Sequence, residues 1–174
     1  MREKKNHSKR INEIQALRES EEIFSKHFFS SPIATAITAI PDGKVIKVNQ
    51  AFSDLTGYSM KETIGKSTGE LNIWADPSEH NEVIKIIHEK GRIHDFENRI
   101  RRKSGDVVYC LSSAEIVKLN NIPHIISWAV DITARKKVEE ELIKEKDKAE
   151  NYLNIAGTII VALDYNGNIV LLYC

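Results

Sequence analysis

The sequence predicts an α+β fold: one domain of five strands and three helices, held between two long charged helices. Three observations carry that expectation. Apolar residues recur three and four apart at both flanks. They alternate two apart in the strand segments between. The punctuation separating these segments is that of helix caps and tight turns. At 174 residues and 41% hydrophobic content, the chain has room for one core of about a hundred residues plus extensions, not for two full domains.

In residues 8–29, Ile14, Leu17, Phe24 and Phe28 form a narrow heptad-like stripe with Glu21 in the remaining slot, which predicts an amphipathic helix. Ser30, Ser31 and Pro32 end it, and residues 33–40, rich in small and β-branched side chains, read as a strand. Pro41-Asp42-Gly43-Lys44 turns the chain into a second strand at 45–48. Asn49 then stands where its side chain can accept the N–H of Phe52 and start a helix that Gly57 stops. Ser59 and Glu62 have the spacing of a capping box for a further short helix, closed by Gly65.

Asp76-Pro77-Ser78-Glu79 combines a capping acid, proline at the first helical position and an acid in the first turn, so a longer helix begins there and ends at Gly91. His80, Val83, Ile84 and Ile87 share one of its faces. Phe96, Asn98 and Ile100 alternate with Glu97, Arg99 and Arg101, the two-residue period of a strand with one charged face. Lys103-Ser104-Gly105-Asp106 leads into a long strand at 107–119, and a turn at 120–123 into a last strand at 125–130. Residues 133–154 read as a charged helix whose Val138, Leu142, Ala149 and Tyr152 keep a heptad seam that Glu145 interrupts, suited to a parallel coiled coil of modest stability.

The 25 Lys and Arg offset 25 Asp and Glu, so no cationic face points to nucleic acid as a direct partner. The charged N-terminus lacks the features of a secretory signal, and the longest apolar stretch, near Ile159 to Leu163, is far below the ~20 residues that span a bilayer. The chain is therefore expected in the cytoplasm. Cys110 and Cys174 have no neighbour at metal or redox spacing and are read as reduced and structural. No Gly-rich nucleotide loop, Walker motif, carboxylate pair or His/Cys cluster occurs, so the chain is expected not to be an enzyme. His88-Glu89 looks like a phosphoacceptor pair, but Lys90-Gly91-Arg92 ends the helix immediately after it, and His88 is read as exposed.

The chain resembles the PAS family across residues 17–133. The motifs that carry the likeness are Leu17-Arg18-Glu19-Ser20-Glu21-Glu22 with Phe24; Pro41-Asp42-Gly43; Val48-Asn49-Gln50-Ala51-Phe52; Leu55-Thr56-Gly57-Tyr58-Ser59; Trp74-Ala75-Asp76-Pro77; Arg102-Lys103-Ser104-Gly105; and Asp131-Ile132-Thr133 with Arg135. The resemblance implies a five-stranded antiparallel sheet with short helices on one face, flanked by N- and C-terminal signalling helices, whose concave face can hold a small ligand. It implies output through the helix after Asp131-Ile132-Thr133, toward a histidine kinase or another effector. The expected organisation is an N-terminal helix at 1–30, the PAS domain at 31–132, a coiled-coil linker at 133–155 and the truncated start of a second PAS domain at 156–174. The last assignment rests on Ala39 to Ile46 being echoed by Leu163 to Val170, at a separation far longer than a solenoid unit. Two strands alone are marginal, so this second copy is expected not to fold by itself.

The candidate ligand-pocket residues are His80, Ile84, Ile87, Phe96, Asn98 and Ile100. Asn98 supplies either one polar contact among apolar ones or an amide satisfied by neighbouring backbone. Trp74 and Trp128 are read as packing residues. Asp131, Thr133 and Arg135 form the expected signal relay, with the Thr133 hydroxyl capping the following helix and the Asp131 carboxylate available to Arg135 or a neighbouring strand. The leading expectation is no cofactor; because in oxygen-sensing haem relatives the iron-ligating histidine resembles His80 in position, haem is the alternative. Against it, a histidine in a first helical turn is usually an exposed one, and the facing strand offers Asn98 and Ile100 where an arginine would steady bound oxygen. Residues 57–75 hold no cysteine, which excludes the covalent flavin chemistry of light-sensing relatives.

The leading function is a cytosolic sensory and dimerisation module of a multi-PAS sensor histidine kinase, pairing as a homodimer through both flanking helices. The alternative is a ligand-free PAS module that only pairs proteins. A third reading, an enzyme fragment with its catalytic part beyond Cys174, has no supporting motif.

Overall fold

The computed structural model describes residues 2–40, 42–155 and 160–173, in two units, Met1–Ile132 and Thr133–Cys174. Pro41, Ile159 and Cys174 lie outside the described residues, so the sequence readings made on them find no counterpart here.

The first unit opens with α1 (Arg2–Ser30), which begins before the apolar stripe that predicts it. Ile14, Leu17 and Phe24 of that stripe are exposed, whereas Phe28 is buried, and the Lys47 ammonium lies 5.2 to 5.4 Å from the ring centres of Phe24, Phe28 and Phe29. The strands β1 (Ala34–Ala39) and β2 (Val45–Val48) pair antiparallel. Then come α2 (Gln50–Thr56), α3 (Met60–Thr63) and α4 (Pro77–Lys90), followed by β3 (Arg92–Arg101), β4 (Val107–Leu119) and β5 (Ile122–Asp131). The five strands form one sheet in the order β2-β1-β5-β4-β3, every neighbour antiparallel.

The caps act as the spacing predicts, except that α3 ends at Thr63 with Ile64 as its C-cap, one residue before Gly65. Asn49 Oδ1 accepts the N–H of Phe52 at 3.0 Å; Ser59 and Glu62 complete a capping box; Asp76 accepts from Ser78 N at 2.9 Å. Gly57 and Gly91 close α2 and α4 with φ of 78° and 75°, a left-handed turn in which a Cβ is strained. The last turn is shorter than expected. Asn120 and Asn121 both take positive φ, 52° and 64°, which makes a two-residue hairpin and brings Ile122, Pro123 and His124 into β5.

Asn49 is fully buried and has a second role that its cap signature does not reveal. The same Oδ1 accepts the N–H of Thr35 at 2.9 Å, and Nδ2 donates to the Ile33 carbonyl at 2.7 Å. One side chain thus ties the start of α2 to the start of β1. Residues 73–75 run along the edge of β3, where Ala75 N donates to Arg99 O at 3.0 Å and Trp74 bridges Ile100. Arg99 holds α4 from the other side: its N–H and Nε donate to Glu79 at 2.9 and 3.0 Å, and its Nη2 to Asp76 at 3.1 Å.

The second unit contains α5 (Thr133–Ile155) and a hairpin of β6 (Ile160–Leu163) with β7 (Ile169–Tyr173). Asp164 organises its turn by accepting the N–H groups of Asn166 and Asn168 at 2.8 and 2.9 Å. Val138, Leu142 and Tyr152 on α5 are exposed, as are Val161, Leu163, Ile169 and Val170 on the hairpin. The hairpin forms locally, yet it leaves the apolar side chains described for it largely uncovered.

Candidate functional site

The core of the first unit is divided. One cluster joins Ala34, Ala36, Val45, Val48, Phe52, Leu55, Leu71, Ile73, Ile100, Val108 and Cys110; the other joins Val83, Ile87, Ile93 and Ala114, with Trp74 and Phe96 packed on it. An inner cavity of about 100 Å³ lies where the two meet, walled by Ala36, Phe52, Leu55 and Ile73 from the first and by Val83, Ile93, Phe96 and Ala114 from the second.

Two features of the strands build this cavity. Small residues on β1 and on the inner positions of β4 and β5, namely Ala34, Ala36, Ser112, Ala114, Ser127 and Ala129, leave space over the middle of the sheet. A β-bulge in β3 sets two residues, His94 and Asp95, against Ser113 alone. Asp95 takes φ 51° there, and its N–H donates to Ser113 Oγ at 3.0 Å. The extra residue restores Ile93 to the face of Phe96, so both line the cavity.

Asn98 is the polar centre of this space. It is 3% exposed, and its Oδ1 accepts from the Ser112 hydroxyl at 2.6 Å. Its Nδ2 is buried without a hydrogen-bond partner. A buried amide left so costs about 1–3 kcal/mol, and the reading of Asn98 as satisfied by neighbouring backbone does not describe this donor. Of the other polar wall groups, Thr56 Oγ1 donates to Phe52 O at 2.8 Å, Thr68 Oγ1 accepts from Trp74 Nε1 at 3.2 Å, and Ser113 Oγ accepts from Asp95 N at 3.0 Å.

The six pocket residues expected from the sequence fall into two groups. Phe96, Asn98 and Ile100 line the inner cavity, whereas His80, Ile84 and Ile87 line a neighbouring cleft of about 290 Å³ beside α4, with Ser67, Gly69 and Asp42 at its polar side. Trp74, Val83, Ala114, Thr68 and Ser127 line both spaces. The His80 ring lies on the Trp74 indole, with centroids 5.0 Å apart, and burial depresses its pKa below the ordinary histidine value, which favours neutral imidazole. Among the described residues no cluster of His, Cys, Asp and Glu is arranged to hold a metal ion. His88 is exposed, and Trp128 is half-buried with its ring 6.5 Å from His94.

The register connects Asn98 to the end of the sheet. Asn98 pairs with Cys110 on β4, and Cys110 with Asp131 on β5, so the three share one rung. Cys110 is fully buried and free, and burial, with the Asp131 carboxylate, pushes its thiol up to about 12. The Asp131 carboxylate accepts from Arg102 Nη2 at 3.0 Å, four residues along the chain from Asn98. Thr133 is the first residue of α5, and Arg135 Nε pairs with Glu139 at 2.8 Å within that helix.

The sequence profile of the PAS domain matches residues 32–134. A blue-light-activated histidine kinase of Brucella anthropi is 30% identical over 121 residues, which cover 67% of this chain and 25% of the kinase, so the chain spans about a quarter of that relative. Among solved structures, an RNA-binding light-oxygen-voltage receptor superposes with a TM-score of 0.63 at 21% identity, over 73% of this chain and 37% of the receptor. A PAS domain from Colwellia psychrerythraea gives 0.56 at 23% identity, over 65% of this chain and 97% of that domain. No helix among the described residues is long and apolar enough to cross a membrane. With the sheet order, the caps and the matched span in agreement, the chain belongs to the PAS domain family.

Proposed function

We propose that this PAS sensory domain binds a small molecule in its inner cavity and relays occupancy through Asp131 to α5. The observation that carries the reading is Asn98: a donor kept buried and unpartnered in an apolar space, at a cost a ligand would remove. The Asn98, Cys110 and Asp131 rung supports the relay, because a ligand that shifts Asn98 acts on the strand that ends at Asp131 and on Arg102, its ion-pair partner. A ligand biases such an element only by its differential affinity for the two arrangements.

The output proposed is a histidine kinase or another effector that follows α5 in a longer cytoplasmic protein. Its support is the kinase relative, of which the matched segment is a fraction. The two sets of exposed apolar residues, Leu17 and Phe24 on α1 and Val138 and Leu142 on α5, support a homodimer through the flanking helices. Zero formal charge supports the absence of a direct nucleic-acid partner.

Haem and covalent flavin fit these residues poorly. A haem bound through His80 would have to unseat Trp74, whose indole is hydrogen bonded to Thr68, and neither the cleft of about 290 Å³ that His80 lines nor the inner cavity of about 100 Å³ has the space a macrocycle fills. Residues 57–75 offer no cysteine for an adduct with flavin. The modest cavity volume also favours a second reading, a ligand-free pairing module. Native mass spectrometry of protein purified from its source separates the two: a reproducible additional mass released on denaturation is expected. The bare chain mass in every preparation would leave the pairing module as the function.

A further inference from the structure

The chemistry of the cavity wall also narrows what the cavity takes. We infer that its ligand is a small, uncharged, largely apolar molecule carrying one hydrogen-bond acceptor, such as a carbonyl oxygen, which receives the Asn98 Nδ2 proton. The inference rests on the reading of the inner cavity as a ligand site and specifies its class.

Charge is excluded first. None of the side chains lining the cavity is ionisable at neutral pH, so an ammonium or carboxylate brought there would lose its hydration with no opposite charge to replace it. Size comes next. About 100 Å³ holds a molecule of roughly four to six heavy atoms, since an engineered apolar cavity of ~150 Å³ accepts benzene with six. Polarity then fixes the acceptor. The Ser112 hydroxyl occupies Asn98 Oδ1 at 2.6 Å, and the amide donor of the same lining residue is buried with no partner. An alkane of the same shape leaves it unsatisfied, whereas a ketone satisfies it. Sites built around a buried hydrogen-bonding group discriminate strongly against analogues that lack the matching atom.

The test uses the full chain and four probes of one ring size: cyclopentanone, methylenecyclopentane, cyclopentanecarboxylate and cyclopentylammonium. Binding is followed by the ¹H–¹⁵N signals of the cavity residues and of the Asn98 side-chain amide, assigned by its loss in Asn98→Leu. Cyclopentanone is expected to shift that amide and to bind about tenfold more tightly than methylenecyclopentane, the two charged probes leaving the cavity signals unmoved. In Asn98→Leu both neutral probes should bind alike. Should that variant not fold, the amide is assigned instead by its NOEs to Ser112, its hydrogen-bond partner, and its shift in the unmodified chain decides. Equal affinity for ketone and alkene, or preference for a charged probe, overturns the class while the cavity stands as a ligand site. Failure of all four probes, and of a diverse fragment set, to move the signals of Ala36 and Phe96 overturns both.

Discussion

Replacing Asn98 and Ser112 together, as Asn98→Leu with Ser112→Ala, should make the ligand-free protein more stable. The reasoning follows the hydrogen bonds. Asn98 is 3% exposed with one amide donor unpartnered, a cost of about 1–3 kcal/mol. Its one bond, from Ser112, is removed with both partners, which is nearly neutral when apolar groups of similar shape take their place. Leucine shares the Cγ branch of asparagine but is larger, and the cavity beside it takes up the added volume. A net gain of about 2 kcal/mol follows. For a domain of this size that is a rise in Tm of roughly 10 °C. The assay is urea and thermal unfolding of chains refolded from denaturant, so that any bound molecule is stripped from the unmodified protein. A double variant less stable than its parent by 1 kcal/mol or more would refute the argument, because the amide would then be holding the sheet together rather than waiting for a partner.

Asn49→Ala strips Thr35 N–H and Phe52 N–H of their acceptor in a fully buried setting, and a loss of about 3 kcal/mol is expected, read as a lower urea midpoint at unchanged m-value. The Glu62 carboxyl, held by hydrogen bonds from Lys103 and Ser59, should titrate by ¹³C NMR near about 2 rather than at the ordinary 4.5. Because its folded pKa is depressed, the stability it contributes is complete above about 4.5 and disappears as the pH falls through about 2, a slope that Glu62→Gln should flatten. Phe24→Asp with Leu142→Asp is expected to give a monomer with an intact sheet where the parent sediments as a dimer; a parent that is monomeric at tens of micromolar, where weak coiled coils associate, overturns the pairing proposal. Arg102→Gln, which breaks the 3.0 Å bond to Asp131, should diminish the change in amide exchange that cyclopentanone causes at residues 131–133; an equal ligand-induced change in both proteins counts against the relay.

What the sequence by itself determined is everything held by contacts a few residues apart. The caps at Asn49, Ser59 and Asp76 were legible because a side chain reaches a backbone N–H two or three residues on, whatever the rest of the chain does. The alternation of Phe96, Asn98 and Ile100 was legible because a strand has period two. The family motifs then ordered these elements. Tertiary structure alone decided which faces met. Counting by twos from Phe96 sets Ile93 on the charged face, and only the bulge opposite Ser113 returns it to the cavity. Asn49 holds Thr35 and Ile33, partners that no local spacing announces. His80, Ile84 and Ile87 share a helix face with Val83, yet they line the outer cleft, whose wall toward the inner cavity includes Trp74, drawn along the edge of β3, and Val83 itself. The Asn98 donor likewise becomes an orphan only when β3 and β4 pair in the register that gives its oxygen to Ser112. Register and cavity shape depend on packing between segments far apart in sequence, and a periodicity within one segment carries no information about them.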